Sequence, residues 1–250
     1  TKITVDGDNK TMKGYIVVDG KSYAYPTTGT TIKNVHFDAS AISLGASVNL
    51  GDGGNTTRYT NNVTVDNCTF KGDIAKAAVK SYQGGCKNLV VSNCKAEGMH
   101  SLLQATNIQG ITITGCEANT KNGINLNSSA NVTVENNTIN VQGYAVCVGV
   151  NGGTSGKIEL EGNTLTSQCA DGDAVVVLRG TASEQVDLTM EKNAVSGTTH
   201  ISGHAANTKM ELDANYWDGK ENPVVTGPEV KVNSYYETTD FSAAPTRNPM

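Results

Sequence analysis

Val132-Thr133-Val134-Glu135-Asn136-Asn137-Thr138-Ile139 is the stretch on which the fold turns. Up to Glu135 it alternates apolar and polar side chains, the mark of a strand with one buried face. At Asn136 the alternation breaks. Asn tolerates positive φ, so the chain bends sharply there and starts a second strand. The same line is rewritten from Thr30, Val63, Leu89, Ile111, Ile158, Leu188 and Met210. Repetition on this scale belongs to a solenoid.

The sixth residue of each line serves as an anchor: Val35, Cys68, Cys94, Cys116, Asn137, Asn163, Asn193 and Asn215. Three residues earlier stand Ile32, Val65, Val91, Ile113, Val134, Leu160, Met190 and Leu212, all apolar. The intervals between anchors vary, so insertions fall between lines and not within them, as when a rigid ladder alternates with variable loops. The residue before the anchor is Asn34, Asn67, Asn93, Gly115, Asn136 or Gly162 in six of the eight lines, which suits a bend. A buried Asn is costly unless its amide is paired. Coils stacked about 4.8 Å apart let Asn137, Asn163, Asn193 and Asn215 bond to one another and to the turn backbone. In the preceding lines Cys68, Cys94 and Cys116 fill that slot as small, readily buried residues. Stacked neighbours lie near disulfide range, and three members cannot all pair with one another.

A third strand precedes each line, with candidates at Ser101–Ala105, Gly123–Asn127, Ala145–Val150, Ala174–Arg179 and His200–His204. Three strands per turn, wound one way, make a triangular parallel coil. The expected fold is therefore all-β, a three-sheet parallel β-helix of about eight coils with capped ends. Residues 1–29 are expected to form the N-terminal cap, 30–217 the β-helix, and 218–250 the C-terminal cover, all in one structural domain.

The Asn column and the Asn-Val-Thr-Val-x-Asn-Asn/Cys-Thr lines resemble the right-handed parallel β-helix of the pectin-lyase-like superfamily. The resemblance spans Thr30 to Trp217. Asn215-Tyr216-Trp217-Asp218-Gly219 is similar to the closing turn of bacterial surface β-helix proteins, from which Asp218 departs. The superfamily hosts lyases, hydrolases, tailspikes and adhesins, so the fold does not choose the chemistry.

Composition narrows the classes. Formal net charge is −5, which argues against a nucleic-acid partner. No apolar run is long enough to span a membrane as a helix. The six Cys do not make a disulfide-dense scaffold, and no Cys-x-x-Cys or Cys/His spacing announces a metal; no metal or cofactor is expected. Cys86, in a Gly-rich stretch, reads as the exposed thiol. The start at Thr1 and the low charge content suit part of a larger secreted or cell-surface protein.

In polysaccharide-active members of the superfamily the cleft runs along the third strand. Outward positions there are Lys80, Tyr82, Gln104 and Asn125, followed by Asp173 and Arg179 in less certain register. The loop 51–60 brings Arg58 and Tyr59 toward them. An aromatic beside cations and amides is a sugar-binding surface. Catalytic patterns are thin. A lyase needs a basic residue, for which Lys80 and Arg179 are candidates, and often Ca²⁺ on acidic ligands. An inverting hydrolase needs two spaced carboxylates, and Asp171 with Asp173 reads more simply as turn chemistry. The polygalacturonase and pectate-lyase signatures are absent. His200 and His204 read as two exposed histidines. An outward column of Thr31, Thr64, Thr112, Thr133 and Thr189, broken by Val90, Glu159 and Glu211, reads as a solvated β face. The leading expectation is an extracellular or cell-surface module that binds a polysaccharide or host-surface glycan, or acts as an adhesin, without catalysis. The alternative is a polysaccharide lyase or glycoside hydrolase on the third-strand face, with Ca²⁺ if a lyase.

Overall fold

The structure is a computed structural model. It describes residues 2–19, 27–51, 60–81, 86–149, 156–169, 174–179, 186–203, 208–226 and 230–248. Coil by coil, the strands are β1 (Ile3–Met12) and β2 (Ile16–Val18), then β3 (Thr27–Asp38) and β4 (Ala46–Leu50), then β5 (Thr60–Asp66), β6 (Thr69–Lys71) and β7 (Ala77–Ser81). The fourth coil holds β8 (Cys86–Ser92), β9 (Lys95–Glu97) and β10 (Ser101–Thr106), and the fifth β11 (Ile108–Thr114), β12 (Glu117–Thr120) and β13 (Ile124–Asn127). The sixth holds β14 (Ala130–Glu135), β15 (Thr138–Val141) and β16 (Val146–Gly149), and the seventh β17 (Lys157–Glu161), β18 (Thr164–Ser167) and β19 (Ala174–Arg179). β20 (Val186–Glu191), β21 (Ala194–Ser196) and β22 (Thr199–Ser202) form the eighth, and β23 (Thr208–Glu211) with β24 (Val225–Thr226) the ninth. A short antiparallel pair, β25 (Ser234–Tyr235) and β26 (Thr246–Arg247), follows.

Every neighbouring pair from β1 to β24 is parallel and joins one coil to the next, which makes a parallel β-helix. The second face, β2-β4-β7-β10-β13-β16-β19-β22-β24, is a separate nine-stranded sheet. The other two faces are joined because the long β3 pairs with both β5 and β6. β1 pairs in parallel with β3, with a shift of register between Asp6 and Lys10, so a rung precedes the eight repeated lines.

The repeated lines stack as the alternation predicts. Val63, Leu89, Ile111, Val132, Ile158 and Leu188 fall in one register column and are buried. The Thr column also aligns, with Thr31, Thr64, Val90, Thr112, Thr133, Glu159, Thr189 and Glu211 side by side. Phe37 and Phe70 stack inside at 5.0 Å. The bends before the anchors adopt positive φ at Asn34, Asn67, Asn93, Gly115, Asn136 and Gly162, and also at Lys192 and Ala214. A second bend column lies six residues before the anchor. Gly29, Asn62, Asn88, Gly110 and Asn131 all have positive φ there. Asn and Gly recur at this position because they enter positive φ at low cost.

The anchors are buried, with Asn137, Asn163, Asn193 and Asn215 each at most 1% exposed. Each amide is fully used. Asn163 Nδ2 donates to Val134 O at 2.8 Å and to Asn193 Oδ1 at 2.9 Å. Its Oδ1 accepts from Asn137 N and Asn137 Nδ2, both at 3.0 Å. The column is thus a buried polar ladder with its partners supplied by the repeat itself.

Two sequence expectations fail. His200 is fully buried instead of exposed. At the corner where each strand of the nine-stranded sheet begins, two consecutive residues are buried: Leu102 and Leu103, Ala145 and Val146, Val175 and Val176, His200 and Ile201. Both Leu102 N and Leu103 N donate to Gly123 O, and both His200 N and Ile201 N to Val224 O. In the fifth coil only Gly fits the first of these positions, because a Cβ on Gly123 would stand 2.1 Å from Ala145 O. His200 lies against Trp217, ring centroids 5.6 Å apart, and Trp217 is itself fully buried at the C-terminal end. Cys86 is also buried, at 2% exposure, because it opens β8 and stacks in register between Thr60 and Ile108. The partly exposed thiol is Cys169, and all six Cys are free. His204 lies outside the described residues.

Candidate ligand-binding face

The nine-stranded sheet turns alternate residues outward. Leu103, Ala105, Ile124 and Leu126 point in and are buried, and Gln104 and Asn125 between them are partly exposed. Lys80, Gln104 and Asn125 are register partners, so they form one outward row along the helix axis at the rung spacing of about 4.8 Å. Asn49 precedes Lys80 in the row and Cys147 follows Asn125. Both are buried, Asn49 folding its amide back onto Ala46 O at 2.7 Å. Tyr144 packs over Cys147, and its hydroxyl accepts from Asn125 Nδ2 at 3.3 Å.

The structure adds a residue that the sequence reading passed over. His100, at the corner leading into β10, is 3.0 Å from Gln104 Nε2 through its Nδ1. Burial lowers its pKa, and the positive charges of Lys121 and Lys80 lower it further. The imidazole is therefore neutral at pH 7, beside two cations. No local signal marks His100 as part of the row. It joins only because the corner folds back on the strand four residues later.

Around that corner lies an open groove of about 240 Å³, lined among others by Ile74, Met99, Asn119, Lys121, Asn140 and Gln168. Asn119 and Asn140 are register partners on β12 and β15. Gln168 Nε2 donates to Asn140 Oδ1 at 3.1 Å, which ties together two of the amides that line the groove. Ile74 is 54% exposed on its rim. Lys121 N donates to Met99 O at 3.0 Å and Asn122 N to His100 O at 2.8 Å, so the corners are stacked and hold groove and row together. Side-chain amides, a cation and an exposed aliphatic surface form one polar strip across two faces. Such a strip offers hydrogen-bond donors, acceptors and apolar contact to a ligand.

Of the expected site residues, Lys80, Gln104 and Asn125 are brought together. Arg58, Tyr59, Tyr82 and Asp173 lie outside the described residues. Arg179 is paired with Gly149 at the end of β19, and its side chain is not described. Among the described residues no three His, Cys, Asp or Glu side chains converge as a metal site.

Parallel coils stacked rung on rung, with a column of buried Asn at one corner, make this chain a β-helix. The family of the right-handed β-helix region matches residues 15–195, and the chain belongs to it. Among solved structures the chain is similar to that of PfbA, a surface adhesin of Streptococcus pneumoniae, with 12% identity and a TM-score of 0.52. The match covers 93% of this chain and 67% of that one, and at this identity it concerns the fold. No curated protein matches the chain significantly.

Proposed function

We propose that the chain is a cell-surface β-helical module that binds an extended polysaccharide or host-surface glycan without cleaving it. The observation that carries the reading is the in-register row Lys80–Gln104–Asn125 meeting the amide-lined groove at Asn119, Asn140 and Gln168. A ladder of repeated polar groups on a rigid rod suits a polymer better than a small enclosed ligand. The adhesin named for the similar structure supports a surface role. Exposure to glycans then comes from membership in a larger surface protein. No helix among the described residues is long and apolar enough to cross a membrane.

One observation favours turnover as a second reading. His100 is kept neutral beside Lys80 and Lys121, a state in which an imidazole can accept a proton. The test is retention of the protein on a panel of neutral and uronic polysaccharides, with assays for new reducing and unsaturated ends. Binding without new ends is expected, and the double variant Gln104→Ala/Asn125→Ala should lose most retention. Unchanged retention would place the ligand elsewhere. New ends that disappear in His100→Ala would replace binding with catalysis.

A further inference from the structure

We propose that His100 sets the polarity of the row: protonation of its imidazole turns the Gln104 amide from an outward acceptor into an outward donor and tightens the face for an anionic ligand group. The inference rests on the row being the binding face, and adds how that face is regulated. Gln104 lies between Lys80 and Asn125 in register. Its Nε2 stands 3.0 Å from His100 Nδ1. An amide nitrogen only donates, so Nδ1 accepts and the proton of the neutral ring sits on Nε2. The Gln104 carbonyl is then the end of the amide turned away from the ring. Asn125 is arranged alike, its Nδ2 donating to the Tyr144 hydroxyl at 3.3 Å. With His100 neutral, both amides of the row offer their carbonyls to a ligand.

Once both ring nitrogens carry protons, Nδ1 holds a hydrogen where it had a lone pair, and two donors face each other. Ser101 Oγ, 3.5 Å from the same nitrogen, is too distant to replace the partner. The last torsion of a Gln side chain is broad and two-fold, so a half-turn restores the bond with Oε1 accepting. Gln104 Nε2 then points outward. The charges acting on the ring are Lys121, at the corner before β13, and Lys80, on β7. The corner before β7 presents Lys76, whose carbonyl accepts His100 N–H at 2.7 Å. The carboxylates of the adjoining elements are engaged elsewhere. Glu97 on β9 pairs with Lys71 at 3.7 Å, Glu117 on β12 with Lys95 at 2.8 Å, and Asp73 accepts Ala75 N–H at 2.8 Å. Burial and the two lysines hold protonation of His100 below the ordinary imidazole range. A bound anion offsets the repulsion among these cations, so acid and an anionic ligand favour the same state.

The first measurement needs no ligand: nitrogen NMR of the His100 ring and the Gln104 side-chain amide between pH 7.5 and 5. The neutral ring should carry its proton on Nε2, and the Gln104 signals should move with the His100 titration. A neutral ring protonated on Nδ1, or Gln104 signals that ignore the titration, overturns the switch. The second is retention on dextran sulfate and on uncharged dextran at low salt. Dextran sulfate should be held about fivefold more tightly at pH 5 than at pH 7.5, the effect of one added charge at a solvated site, and dextran should show no such rise. His100→Asn should remove the rise, and a rise that persists in it overturns the role of His100. Coupled NMR movement with no retention of dextran sulfate at either pH overturns the anion-binding half and counts against the row as the binding face. Retention without coupled movement overturns the switch and leaves that face standing.

Discussion

The anchor column is built from sulfur in the third to fifth coils and from amides in the sixth to ninth, and both halves reach for the same backbone groups. In the amide half, Nδ2 of Asn137 donates to Glu135 O, two residues back, and to Ile113 O, one coil back, both at 2.9 Å. In the sulfur half, the Cys116 thiol faces Thr114 O at 3.4 Å and Val91 O at 3.6 Å, the equivalent carbonyls. The partner donor is equivalent too: Cys94 N reaches Cys116 Sγ at 3.4 Å where Cys116 N reaches Asn137 Oδ1 at 2.8 Å. A thiol has one weak donor for two carbonyls, whereas an amide has two donors and a strong acceptor. The fold thus demands a small side chain that can answer three backbone groups. Asn answers all of them, and Cys answers them weakly at low burial cost. Cys94 is held above its ordinary pKa by its hydrogen bonds to Cys116 and Cys68 and by burial, so this thiol stays protonated and unreactive.

The comparison breaks most sharply at the centre of the amide half. Asn163→Ala leaves Val134 O and Asn137 N short of partners inside the core, while Asn193 Oδ1 keeps the backbone N–H of residue 163. Each orphaned buried group costs about 1–3 kcal/mol, so a total loss near 4 kcal/mol is expected in urea denaturation. Asn163→Cys should cost roughly half as much, since sulfur restores part of the set. Equal losses for the two variants would show that the sulfur half is mere filler.

The amide half ends at a region where polar groups are not all answered. His200 Nδ1 accepts Val224 N–H at 3.0 Å, while His200 Nε2 and Trp217 Nε1 are buried without partners. Burial lowers the His200 pKa to about 4; Lys220 nearby lowers it as well, and Asp218 opposes it. The unfolded chain takes up this proton near pH 6.5, and the native state only near pH 4. Stability from this group is therefore complete above pH 6.5 and falls as pH drops toward 4, by up to about 3 kcal/mol. Denaturation midpoints between pH 7 and 4 should show the fall, and His200→Phe should flatten it. An unchanged slope would mean that His200 does not control the C-terminal coil.

Joining the two halves should give a smaller effect of opposite sign. Cys116→Asn places an amide against Thr114 O, Val91 O and Cys94 N, all present already, and below Asn137 Oδ1. A gain of about 1 kcal/mol is expected in the urea midpoint. A loss would mean that the sulfur coils are spaced for sulfur and will not admit the larger group.

The ladder was legible because it rests on period two and on identity repeated at one position. Val132, Val134 and Asn137 announce their own burial. The buried pair at each corner was not legible, because two adjacent core residues break the very alternation by which burial is read. That is why His200, beside Ile201, passed for a surface residue. The row of Lys80, Gln104 and Asn125 follows from parity, given that Ile124 and Leu126 are buried. The groove did not follow. Asn119, Asn140 and Gln168 are ordinary polar residues in three lines, and only stacking brings them together. Cys86 failed for a related reason: its Gly-rich neighbours spoke for a loop, while its register on Thr60 decided its burial.

The smallest test concerns the bend beside each anchor. Six coils place Asn or Gly there, and the last two place Lys192 at φ 54° and Ala214 at φ 57°. A side chain with a Cβ and no local hydrogen-bonding group gains nothing from this left-handed region and pays about 1–2 kcal/mol to enter it. Glycine enters freely but is more flexible when unfolded, which takes back part of the gain. Ala214→Gly should therefore stabilise by roughly 0.5–1 kcal/mol, read as a higher urea midpoint with an unchanged slope. At Gly162 the same exchange reversed should do harm, because Gly162 sits at φ 65° and a Cβ there would also press on Asn136 Oδ1. If Gly162→Ala and Ala214→Gly shift the midpoint in the same direction, the bend is not set by the left-handed backbone, and the pairing of bend and anchor that repeats down the helix loses its physical cause.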